Sequence, residues 1–217
     1  MNLIELLTVV LMSMQPAYSD KEAWGERVVR MEVIAKAVDE AAGRATCTGE
    51  YEGVACKRLW AGTKRSLAML LVTKGYWESR FAKNVHDGQC RVYECDAAVV
   101  RGVAMHRARS PWQIQKTGLV TREEYAQMKG GSLESTTMAA IVATRHLSLG
   151  FAKCHTVSGA IAIYGGAGYC EWPGAIGRYK FFNEISARGE GEFVKLAVLQ
   201  RERLELRLSR EVKSVKK

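Results

Sequence analysis

Proline occurs only at Pro16, Pro111 and Pro173 in 217 residues. Proline ends or kinks a helix, so its scarcity leaves long stretches rich in Ala, Leu, Met, Glu and Lys free to coil without interruption. An all-α fold with few strands follows. Apolar residues make up 47 % of the chain, enough for one domain with a substantial core and a short appendage, and therefore one active site. The expected division is 1–19 as a signal peptide or an N-terminal helix, 20–188 as the main domain, and 189–217 as a charged C-terminal helix.

Local signals order the elements. Asp20 is placed to cap a helix running to about Ala42, with Trp24, Val28, Met31, Ala35 and Val38 on one face and Gly43 ending it. A polar loop with Cys47 and Cys56 leads to a second helix from about Lys57, made core-forming by Leu67, Leu70 and Leu71, with Trp77 and Glu78 near its end. From Asn84 to Ser110 the periodicity breaks up, which predicts a long irregular loop with a short strand near Val92. Thr121 and Glu124 form a capping box, Ser132 is placed to cap a longer helix ending near Gly150, and Pro173 opens another that carries Tyr179, Phe182 and Ile185. The tail is a charged helix with Leu204, Leu208, Val212 and Val215 on one side, suited either to solvent or to a protein partner.

The formal charge of +9 favours polyanions, a class that includes nucleic acid, anionic membranes and bacterial cell walls. Zinc-finger spacing, an aromatic RNA-binding signature and a compact Lys/Arg block are all missing, so no nucleic-acid partner is expected. Six cysteines fall in close pairs, Cys47 with Cys56, Cys90 with Cys95, and Cys154 with Cys170, the pattern of local disulfides in an exported protein. There is no CxxC pair and His86, His106, His146 and His155 are scattered, so neither a metal nor another cofactor is expected. Leu3 to Met14 is too short to span a bilayer. Pro16 and the small-x-small triplet Ala17, Tyr18, Ser19 after it suit a signal peptide cleaved near Ser19, whereas Glu5 and the lack of an early cation suit an amphipathic helix laying Leu3, Leu7, Val10 and Met14 on the domain.

The strongest chemical candidate is Glu78, in Trp77-Glu78-Ser79-Arg80-Phe81. A carboxyl at the end of an apolar helix, walled by Trp77, Phe81 or Trp112, is suited to act as a general acid. Such an acid works best with a pKa of roughly 6 to 7, against about 4.3 for a free Glu. In chain order follow Ser110-Pro111-Trp112-Gln113-Ile114 and Ala162-Ile163-Tyr164-Gly165-Gly166-Ala167-Gly168.

Together these three stretches resemble the motif series of lytic transglycosylases and their goose-type lysozyme relatives, over about residues 58 to 185. The resemblance implies a lysozyme-like fold with Glu78 as acid and then base. It implies that Ser79 orients groups around the cleaved bond, that Gln113 lines the sugar cleft, and that Tyr164 hydrogen-bonds near the Glu78 carboxyl. Trp112 and Trp77 are the expected stacking surfaces for sugar rings. The chain departs from the family at three places: Ser110 replaces Gly, Trp112 replaces Met, and Gly165 replaces an Asn, which removes a hydrogen-bonding group beside the acid.

The resemblance further implies cleavage of the β-1,4 bond between N-acetylmuramic acid and N-acetylglucosamine in peptidoglycan, with a 1,6-anhydro product. It places the enzyme in the periplasm, outside the cell or with a phage. An inverting muramidase would need a second carboxylate, for which Asp87, Glu94 and Asp96 are available. A non-catalytic wall-binding module of the same fold is the remaining alternative, suggested by Gly165 and the altered second motif.

Overall fold

The computed structural model describes residues 1–15, 22–89, 97–100 and 103–215, with the backbone alone described at 97–100, 103–107 and 211–215. It is mainly α, with 68 % helix and 4 % strand, in agreement with the helical reading. The helices are α1 (Leu3–Ser13), α2 (Trp24–Thr46), α3 (Lys64–Ser79), α4 (Lys83–His86), α5 (Arg122–Gln127), α6 (Leu133–Cys154), α7 (Val157–Tyr164), α8 (Pro173–Ala187) and α9 (Glu190–Val215). Two antiparallel hairpins are inserted, β1 (Gly49–Tyr51) with β2 (Val54–Cys56), and β3 (Ala97–Val100) with β4 (Val103–Arg107).

The molecule is organised around α3. Every residue from Leu67 to Gly75 is buried, so this helix is enclosed on all sides rather than lying on a surface. It packs against α2, α6 and α8, while α7 lies between α6 and α8. Its N-terminus is capped by Thr63, whose side chain accepts from the Ser66 amide. The stretch from Lys57 to Thr63, expected to be helical, instead leads into that cap. Its Trp60 is buried and stacks obliquely on Phe151.

The first helix is part of the core. Leu6, Leu7, Val10 and Leu11 are almost completely buried, and α1 packs on α2 and α9. Asn2 and Glu5 form a capping box at its start, which gives Glu5 a structural role. α9 answers with Phe193 and Leu204 buried along one face. No helix among the described residues is long and apolar enough to cross a membrane.

Several boundaries differ from the sequence reading. α2 begins at Trp24 behind Ala23, whereas Asp20, Glu94, Asp96 and the strand expected near Val92 lie outside the described residues. α2 passes through Gly43 to Thr46, because the Tyr51 ring of the first hairpin closes over Gly43 where a Cβ would stand 2.3 Å from it. The 84–110 stretch holds α4 and the second hairpin, so the expected irregular loop is only partly irregular. The capping boxes at Thr121 and the cap at Ser132 are present.

Two disulfides are formed among the described residues. Cys47–Cys56 ties the end of α2 to β2, and Cys154–Cys170 ties the end of α6 to the segment leading into α8. Such bonds persist in an oxidising compartment. The Cys90 and Cys95 pair lies outside the described residues.

Candidate active site

The site is assembled at the C-terminal end of α3, where the chain makes an abrupt turn. Arg80 and Phe81 both have φ of 51°, an unfavourable left-handed conformation for residues with side chains, and doubly so for an aromatic. Three side-chain hydrogen bonds and one packing contact hold this turn. Ser79 Oγ donates to the Gly75 carbonyl at 3.1 Å and accepts from the Phe81 amide at 3.1 Å. Arg30 of α2, itself paired with the buried Glu22, donates to the Phe81 carbonyl at 2.5 Å. The Phe81 ring fills the space beside Gly75, where a Cβ would lie 2.6 Å from it.

Trp112 meets this arrangement from the second motif. Its ring stands edge-on to Phe81 at 6.4 Å and 85°, and Nε1 donates to the Leu71 carbonyl of α3 at 2.9 Å. The motif is a tight loop closed by paired backbone bonds of 2.9 Å between Arg109 and Ile114. Ser110 stands in the left-handed region at φ 67°, which accounts physically for a glycine preference at that position. Tyr164, at the end of α7, donates its hydroxyl to the Trp112 carbonyl at 2.8 Å. Thus the three motifs, separated by up to 86 positions between Glu78 and Tyr164, are joined by direct contacts.

One expected role is corrected by this geometry. Trp112 is 0 % exposed, so it offers no face to a sugar and acts as the internal post that links α3 to α7. Tyr164 donates its hydroxyl to the Trp112 carbonyl, and burial together with the nearby Glu78 charge raises its pKa well above the usual value. It therefore remains a neutral donor. Gln113 is largely buried in a left-handed conformation and directs Nε2 toward the Ser110 carbonyl at 3.4 Å. Trp77, expected as a stacking surface, is 44 % exposed and leans on Phe181.

Glu78 itself is held by two cations. Lys74, one helical turn earlier and 0 % exposed, donates to Oε1 at 2.5 Å. Arg178 of α8 donates to the same oxygen at 2.9 Å. Both donors fall on Oε1, which leaves Oε2 outside this pair of bonds. Burial pulls the Lys74 pKa down to about 8, with Glu78 working against that shift and Arg178 adding to it. Its ammonium also sits over the Tyr164 ring, 4.3 Å from the centroid.

Gly165 lies against this cluster. A Cβ on Gly165 would lie 2.7 Å from the Trp172 ring and 3.1 Å from Arg178 Nη1. The volume of a larger side chain is thus taken by a Trp and an Arg from the α8 region. Arg178, 100 positions along the chain, is bonded to Glu78 from there.

Neither Lys74, Trp172 nor Arg178 was identified from sequence. Lys74 had a signal, since a lysine inside the apolar run of α3 and four residues before Glu78 has to find a partner. Arg178 had none, because only the tertiary fold brings it near. Asp87, the candidate second carboxylate, is engaged elsewhere. It pairs with Lys83 at 2.6 Å and His86 at 3.4 Å, and these bonds, His86 first, lower its pKa to about 2. His86 is buried and bonded to Thr136, and burial keeps it neutral. Asp87 and Glu78 have no partner in common.

Compared with known proteins, the chain matches no protein-family model, no curated protein and no solved structure.

Proposed function

We propose that the protein is an exported enzyme that cleaves peptidoglycan glycan strands, with Glu78 as the acid. The observation that carries this reading is the convergence of the Glu78-Ser79 helix end, the Trp112 loop and Tyr164 through direct hydrogen bonds. A carboxyl with one oxygen fixed by two donors and an open aromatic face beside it suits a polymer of flat, hydroxyl-rich rings. The disulfides are consistent with the periplasm or the exterior of the cell.

In this reaction Glu78 protonates the glycosidic oxygen between N-acetylmuramic acid and N-acetylglucosamine. The substrate's acetamido oxygen closes on the anomeric carbon as the bond breaks. Glu78, now a carboxylate, takes the proton of the muramyl 6-hydroxyl, which attacks that carbon and gives the 1,6-anhydro product. No protein nucleophile is needed, in keeping with the substrate-assisted exceptions among glycosidases. The engagement of Asp87 by Lys83 and His86 favours this route over an inverting hydrolysis based on that residue.

Mass spectrometry of fragments released from purified peptidoglycan tests the proposal. Anhydro ends are expected, and reducing ends would instead mean hydrolysis. A second reading, a wall-binding module without turnover, is favoured by the Lys74–Glu78–Arg178 cluster, which also suits a purely structural role. Complete absence of released fragments would select it.

A further inference from the structure

The ionic cluster around Glu78 is unbalanced. One carboxylate faces two cations, and among the described residues neither Lys74 nor Arg178 has a second acidic partner. Lys74 is fully enclosed and makes its bond inside the helix that carries Glu78. Arg178 differs. Its side chain keeps 16 % exposure, and its one hydrogen bond among the described residues uses a single donor of the five a guanidinium carries.

The surroundings of Arg178 keep its plane oriented without using those donors. Its guanidinium carbon lies 5.3 Å from the Trp172 ring centroid and 5.9 Å from that of Trp77. Gly165 leaves the room that the guanidinium and the Trp172 ring occupy. An arginine held between aromatic rings, beside an open tryptophan face, is prepared for a planar two-oxygen anion.

We infer that Arg178 is a carboxylate subsite that recognises the acidic substituent of the muramyl sugar whose bond Glu78 cleaves. The choice of ligand rests on the peptidoglycan reading. Within that polymer, carboxylates are carried by the muramyl lactyl group when it is free and by the stem peptide when one is attached. Arg178 and Glu78 are in direct contact, so the recognised group belongs to the sugar at the cleaved bond. The subsite distinguishes muramyl polymers from chitin-like polymers, whose sugars are neutral.

Binding rather than turnover tests this, using the full chain with Glu78→Gln so that ligands are not consumed. Three probes of equal glycan length are compared by calorimetric titration: a tetrasaccharide of alternating N-acetylglucosamine and N-acetylmuramic acid with free lactyl groups, the same glycan with stem peptides, and N-acetylglucosamine tetramer. A charge-assisted carboxylate contact predicts roughly tenfold or more tighter binding of at least one acidic probe over the neutral one. Which acidic probe gains identifies the lactyl or the stem carboxylate. Adding Arg178→Gln is expected to bring the ratio near one. A ratio near one before that change, or a preference that survives it, overturns the inference. If the Gln variant melts below the assay temperature, Arg178→Lys carries the test, because an ammonium lacks the planar fork. A severalfold loss of preference is expected, and an undiminished one overturns the assignment. A chain that binds in this way but cleaves nothing would refute the enzyme reading while leaving the subsite standing.

Discussion

Lys74 carries a charge that the fold encloses completely, and its pKa of about 8 records what that costs. In an unfolded chain a lysine titrates near about 10.4. Between these values the unfolded state binds the proton and the folded state has released it, so stability rises with pH across that window and the full penalty is present below it. Lys74→Met keeps the volume, and Glu78 retains Arg178 as its partner. The variant is expected to be more stable at pH 7 by roughly 1–3 kcal/mol, with the advantage shrinking toward pH 10. Its turnover of peptidoglycan should nevertheless fall about tenfold, since Oε1 of Glu78 loses a fixing donor. Thermal melts at the two pH values together with activity assays check this. A less stable variant of full activity would show that Lys74 serves the fold alone.

At the scale of elements, legibility followed periodicity and capping. The starts of α5 and α6 were readable from Thr121, Glu124 and Ser132, and Pro173 marked the start of α8, because these signals act within a single turn, whereas α6 runs past the expected end near Gly150 to Cys154. The path through Gly43 was not readable, since it depends on a tyrosine from a later hairpin. The site showed the same division. The place of Glu78 and Trp77 at the end of α3 follows from local sequence, whereas the burial of Trp112 and the arrival of Arg178 are products of tertiary packing. α1 is the element on which sequence alone gave two answers. With Met14 just past its end, it buries six apolar side chains, the others being Leu6, Leu7, Val10, Leu11 and Met12. At about 1.5–3 kcal/mol each, their loss would be comparable to the whole stability of a typical domain. A chain starting at Asp20 is expected to melt at least about 10 °C lower than the full chain, or without a cooperative transition. Equal melting temperatures would mean that α1 is dispensable, as a cleaved leader must be.

For the whole molecule, the two disulfides make a contrast. Both close short loops, of 9 and 16 residues in sequence separation, and the chain-entropy cost of losing either is about 3 kcal/mol. Their places differ. Cys154–Cys170 fixes the segment leading to Trp172 and to Arg178, which reaches Glu78, whereas Cys47–Cys56 braces a hairpin from which no described contact with Glu78 comes. Replacing either pair by serine should lower stability by a similar amount in denaturant titrations. Only loss of the Cys154–Cys170 pair should also reduce peptidoglycan turnover at a temperature where both variants remain folded. Equal activity losses would imply that the site depends on global rigidity rather than on how α8 is anchored.

All three scales converge on one carboxyl group at the end of a buried helix, and the most direct measurement is turnover of purified peptidoglycan by the natural chain and by Glu78→Gln. Gln retains an oxygen for Lys74 and Arg178 and nearly the same shape, but it cannot give up and retake a proton. The natural chain should release fragments with anhydro ends, and the Gln variant should lose at least about a hundredfold of that rate, within the range that general acid–base catalysis contributes. Equal rates from the two proteins would contradict the assignment of Glu78.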